Sequence, residues 1–168
     1  MVCRKTIQVI LTLSLVISSS PLLARPAQEH IDSVHAAERF FKCAAIFQYL
    51  PDGRENAKLM FQYGMRQLES VFSAVDPAAF VQDGKYYLGS ETTQNLFVYL
   101  NEEGITDATT SSLVFIEWVG DDVGVLAKRL HELGLRVGEK RFIRYDEVYE
   151  ALYRLSNCEQ ELVVEPSQ

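Results

Sequence analysis

Glu117 stands between Ile116 and Trp118 in an otherwise apolar run, and it is the residue with the sharpest chemical potential in this chain. A carboxylate in apolar surroundings has its pKa raised by desolvation, which is how a general acid is made. A glycoside hydrolase would need a second carboxylate on the facing wall, and Asp121, Asp122 and Glu91 are the residues open to that role. The favoured expectation is plainer: Glu117 lies at a helix edge and reaches solvent or a basic partner such as Arg144.

Other constellations are weaker. His30 and His35 are five apart, which does not stack them on one helix face. His35 and Glu38, three apart, could share a metal, but no further ligand falls into a recognised spacing. His131, beside Glu132, is expected at a solvated surface. The chain has no Gly-x-Ser-x-Gly elbow, and Gly120-Asp121-Asp122-Val123-Gly124 lacks the lysine and spacing of a phosphate-binding loop. Its two glycines are expected to admit a neighbouring helix or to mark a kink. No metal, cofactor or catalytic set is therefore expected, and the chain is read as a non-enzyme.

Aromatic residues offer recognition instead. Tyr145, Tyr149 and Tyr153 recur every fourth residue, a stripe along one helix that packing largely explains. Part of the stripe is a candidate interaction surface, since tyrosine presents a large amphipathic area. Lys140, Arg141 and Arg144 precede it as the basic cluster of an acidic chain.

The start of the chain reads as an export signal. Arg4 and Lys5 precede an apolar run from Ile7 to Ile17, and Ser18, Ser19, Ser20 and Pro21 lead to Leu22-Leu23-Ala24. A basic start, a short apolar stretch and a small-residue exit are the pattern of a cleaved secretory signal. The run is too short to span a bilayer, which takes about 20 residues. Taking 24 residues from 168 leaves 144, a single-domain length. The segment lost carries two basic residues and no acid, so the formal charge moves from −7 to −9. Such acidity argues against nucleic acid and anionic membrane as partners, and no stable membrane insertion is expected after cleavage.

Cys3 leaves with the signal, so Cys43 and Cys158 remain as an even pair in an oxidising compartment, where pairing is expected. The periplasm is the first choice of location and secretion the second.

The elements that hold these residues are helical by period. From Gln28 to Leu50, Ile31, Val34, Phe41, Ala44, Ala45 and Phe47 recur at three- and four-residue steps. Pro51-Asp52-Gly53 separates this helix from a second, with Asp52 and Glu55 spaced as a capping box. The second helix carries Ala57, Met60, Phe61, Gly64, Leu68, Val71, Phe72 and Val75 before Asp76-Pro77. Asp83-Gly84 signals a turn, and Tyr86-Tyr87-Leu88 is a short strand or an ordered loop.

A third helix is expected over 91–101, with Leu96, Phe97 and Leu100 inward and Gly104 past its end. Leu113–Val119 has the composition of a strand. The longer pattern of Leu113, Ile116, Val119, Val123, Leu126, Leu130 and Leu133 favours one long helix, capped by Ser111 or Ser112 and ended by Gly134. A strand followed by a helix from Asp121 is the alternative. A last helix begins near Asp146, turns Val148, Leu152 and Leu155 inward, and runs to Cys158. The expected fold is all-α: a compact bundle of about five helices over residues 25–162, with one disulfide joining first and last helices and a frayed tail over 163–168.

In outline the chain resembles small exported bacterial helical proteins, through Cys43-Ala44-Ala45 early and Asn157-Cys158 late. Its architecture is similar to that of periplasmic immunity proteins. That likeness implies action by binding another protein, an envelope component or an incoming one, as an inhibitor or immunity factor. A module for a small apolar or envelope-derived ligand is the second expectation, and a cell-wall hydrolase built on Glu117 the third.

Overall fold

The structure is a computed structural model that describes residues 25–82, 85–86, 88, 90–132, 136–137, 140–141 and 144–163. The expected signal segment, the Asp83-Gly84 turn, Leu133, Gly134 and the tail beyond Val163 lie outside the described residues. Six α-helices carry the fold: α1 (Gln28–Phe47), α2 (Arg54–Ala74), α3 (Glu91–Glu102), α4 (Ala108–Glu132), α5 (Tyr145–Leu155) and α6 (Cys158–Val163). Two antiparallel pairs of two residues each punctuate them. One is β1 (Val81–Gln82) with β2 (Lys85–Tyr86), the other β3 (Arg136–Val137) with β4 (Lys140–Arg141).

The helices end where the chain chemistry dictates, though not always through the residues the spacing suggested. α1 stops at Phe47, and tight turns through Leu50 lead to Asp52, which sits in the left-handed region at φ 57°. Asp52 makes no capping hydrogen bond; Gly53 is the N-cap of α2. Glycine is required there because a side chain would run into the Phe47 carbonyl. The expected capping box is thus replaced by a close backbone crossing.

At the end of α3, Gly104 takes φ 65° and the Ile105 amide donates to the Leu100 carbonyl. With the Gly104 amide on Asn101, this is the paired-carbonyl closure of a Schellman motif.

Leu113–Val119 is helical, within the 25 residues of α4. Its start is capped by Asp107, whose carboxylate accepts from the Thr110 amide at 2.8 Å, rather than by Ser111 or Ser112. Those two serines are fully buried, with hydroxyls that meet no partner. The inward face of α4 runs through Phe115, Val119, Val123, Ala127 and Leu130, while Leu113 and Leu126 are exposed. The last helix is broken: Asn157 at φ 54° separates α5 from α6, Leu155 points to solvent, and Cys158 opens α6.

Packing divides into two apolar clusters at opposite ends of α1, α2 and α4. One holds Phe41, Leu68, Phe97 and Phe115 and is closed by α3. The other holds Phe47, Met60, Val123, Val148 and Leu152 and is closed by α5 and α6. Cys43 and Cys158 are buried in the second cluster and form a disulfide, with Cα atoms 5.5 Å apart. It joins the first helix to the last. Arg39 reinforces the same junction by donating to Glu161 at 2.9 Å. At the other end, buried Thr93 of α3 donates to Glu38 of α1 at 2.7 Å.

Candidate functional site

A cleft of about 270 Å³ opens where α1, α2, α4 and α5 meet. α1 supplies Phe41, Ala44 and Ala45, and the turn that follows it supplies Gln48 and Tyr49. α2 contributes Phe61, whose ring meets Phe41 edge-on at 5.8 Å and remains 39% exposed. α4 contributes Ile116, Gly120, Asp121 and Gly124, and α5 contributes Tyr149. A β-carbon added at Gly120 or Gly124 would meet no atom within 4 Å. No described helix covers this face of α4. The glycine that does admit a neighbour is Gly64 of α2, against the Phe41 ring.

Tyr49 and Tyr149 form the wall at the α5 end. Their rings stack at 4.2 Å and 11°. One face of Tyr49 is thereby covered, yet the residue is 58% exposed, so its other face is open to water. Tyr149 is buried, and its phenol is pushed up to about 12 by that burial first, then by the neighbouring Tyr49 and Tyr145 phenols.

The tyrosine stripe does not form one surface. Tyr153 packs edge-on against Phe47 at 5.3 Å, half-buried. Tyr145 stays exposed and stacks on His131 at 4.2 Å. Packing accounts for Tyr149 and Tyr153, and Tyr145 alone of the three faces solvent. Arg144 is committed to Asp146 through bonds of 3.0 and 2.6 Å. The side chains of Lys140 and Arg141 lie outside the description.

Glu117 is exposed on α4. The apolar surroundings that would turn it into a general acid are not there, because Ile116 and Trp118 lead away from it around the helix. Asp121 and Asp122 share its helix and so do not face it across a cleft. Glu91 is exposed in the first turn of α3. Glu38 is engaged by Thr93 rather than by His35. Among the described residues, no three acidic, histidine or cysteine side chains converge as metal ligands would. Nor is any described helix long and apolar enough to cross a membrane.

Sequence reasoning missed the cleft. Its wall joins Tyr49, read as the tail of one helix, to Phe61, read as core. The one available signal was the glycine pair on α4, which spacing alone could not separate from a packing seam. Comparison with family models, with curated proteins and with solved structures finds no match.

Proposed function

We propose that this is an exported protein of the bacterial periplasm that acts by binding another protein, as an inhibitor or immunity factor toward an envelope component or an incoming protein. The observation that carries the reading is the uncovered groove beside Tyr49: concave, aromatic on two sides, and floored by glycines that no helix approaches. Aromatic anchors in a concave patch are the usual centre of an interface. The buried Cys43–Cys158 bridge supports an oxidising compartment, and the sequence pattern of residues 1–24 supports export.

The test is affinity capture from an envelope extract, with the protein and its Gly120→Leu variant as baits. A specific partner retained by the first and lost by the second is the expected result. A partner retained equally by both would remove the groove from the function.

The small-ligand reading comes second. Aromatic side chains around a cleft favour it, but about 270 Å³ lies at the lower edge of the usual range of roughly 300–1,000 Å³. A stabilising small molecule in a protein-free envelope extract would move it to first place.

A further inference from the structure

Asp121 is the charged member of the groove lining; its neighbours there are apolar, aromatic, glycine or Gln48. Glu117 stands one helical turn before it, exposed on the same side of α4. Two basic groups near this edge meet carboxylates. Lys128, one turn past Gly124, reaches Glu132 at 4.0 Å, and Arg144 is held by Asp146. The groove is therefore apolar at its floor and negative along one edge.

We propose, resting on the protein-binding reading, that the occupant is a cationic amphipathic helix of a partner protein. Its apolar side lies over Gly120 and Gly124, and an arginine or lysine enters between Asp121 and the open face of Tyr49. Three properties select this occupant. The glycine surface lets a helix axis approach to the short end of the usual range of about 8–10 Å. Arginine both pairs with a carboxylate and stacks on a tyrosine face. Leu113, 58% exposed and seven residues before Gly120, extends the track toward the start of α4, with the Glu117 carboxylate between them. From Leu113 to Gly124 the track is long enough for about three turns of a helix.

The other occupants are opposed by charge. A second copy laid across the groove would bring another Glu117 and Asp121 against these, and like charges across an interface are unfavourable. Anionic lipid meets the same edge in a chain whose net charge is −7.

The probe is a capped 14-residue helical peptide of alanine, leucine and arginine with the arginines on one edge. Two matched peptides accompany it, one with glutamate for arginine and one with the same residues scrambled. Fluorescence anisotropy with the folded, oxidised protein should give one-to-one binding that weakens with salt. The glutamate and scrambled peptides should bind at least about tenfold more weakly, a loss of about 1.4 kcal/mol.

Gly120→Leu should abolish binding while its melting curve shows a protein still folded, since a β-carbon there meets no atom within 4 Å. Asp121→Asn should cost about tenfold, and Asp122→Asn, which has the same effect on net charge but does not line the groove, less than twofold.

Arginine-peptide binding that survives both Gly120→Leu and Asp121→Asn would overturn the proposal, as would equal binding of the glutamate peptide. Self-association that Gly120→Leu abolishes would overturn it in favour of a second copy. If the peptide fails to bind but envelope capture still yields a partner lost with Gly120→Leu, the cationic helix falls and the protein-binding reading stands.

Discussion

The ring of Phe41 lies directly against the α-carbon of Gly64: a methyl group placed there would sit 2.7 Å from Cζ and 2.8 Å from Cε1. α1 and α2 are locked together at this point. The same phenylalanine packs on Phe115 of α4 at 5.9 Å, so three helices are registered through one side chain. Its outer flank, beside Phe61, becomes part of the groove. Core and candidate site thus share a residue, and the shape of one sets the shape of the other.

The three helical glycines should answer oppositely to alanine. Gly64→Ala forces Phe41 or the helix pair to move, an overpacking that costs about 1–3 kcal/mol. Gly120→Ala and Gly124→Ala add a methyl where no atom stands within 4 Å, so the gain in helix propensity is unopposed. Each should stabilise by up to about 1 kcal/mol. Denaturant unfolding of the three variants checks this, and a loss at Gly120 would mean that a neighbouring element does pack there.

The disulfide closes a loop of 115 residues between two side chains that are almost wholly buried. Replacing Cys43 or Cys158 with serine should lower stability by about 2–5 kcal/mol. A thiol reagent should find neither sulfur in the denatured, unreduced protein. In the native state, reductant should act slowly, because both sulfurs are reached by opening the α1–α6 junction that Arg39 and Glu161 also hold.

The parts of this fold legible in the sequence are those governed by period and by strong punctuation. Val34, Phe41, Leu68 and Leu100 are buried as their spacing demands, and Gly104 ends α3 as a left-handed cap. On α4, the leucine spacing includes Leu126, which is exposed, while neighbouring Ala127 is buried in the cluster with Val123 and Leu130. Ser111 and Ser112 are residue types that cap helices but are buried here, and the carboxylate of Asp107 accepts from the Thr110 amide instead. The groove was illegible because it is made by four helices meeting, and its residues carry no spacing in common.

Tyr149 gives the protein a pH signature. Its folded-state phenol is raised from 10 to about 12, mainly by burial. A raised value means that the neutral form is favoured in the folded state. Its contribution is complete below pH 10 and is lost as pH rises toward 12, where the unfolded chain gains by ionising first. Absorbance titration at alkaline pH should show a late phenol that disappears in Tyr149→Phe. That variant should also lose less stability than the parent between pH 10 and 12.

Export is tested by the N-terminus. Mass spectrometry of the protein recovered from an envelope fraction should find it near Arg25. A chain still carrying Met1 and held in the cytoplasm would remove both the periplasmic proposal and the compartment in which Cys43 and Cys158 are expected to pair.

Glu117 separates an enzyme from a binder. It is exposed one turn before Asp121, so a hydrolase and a docking protein would use this edge of α4 differently. A proton donor acts by its ionisation alone: Glu117→Gln would then remove about two to four orders of magnitude of rate and leave partner affinity unchanged. In a binder, the same change removes a rim charge, which alters the association rate and its salt dependence but costs little affinity. The aromatic anchor behaves conversely. Tyr49→Ala deletes the exposed half of the stack on Tyr149 and should weaken binding by about 2 kcal/mol or more, roughly thirtyfold. Tyr145→Ala and charge reversal at Arg144 fall outside the groove lining and should cost less than Tyr49→Ala. Tyr49, Tyr145 and Arg144 have partners in Tyr149, His131 and Asp146, so circular dichroism and melting curves must first show each variant folded. The expected order of damage to biological activity is therefore Tyr49→Ala far ahead of Tyr145→Ala and the Arg144 reversal, with Glu117→Gln nearly silent. Activity that vanishes in folded Glu117→Gln and survives Tyr49→Ala would reverse the assignment and make this edge of α4 catalytic.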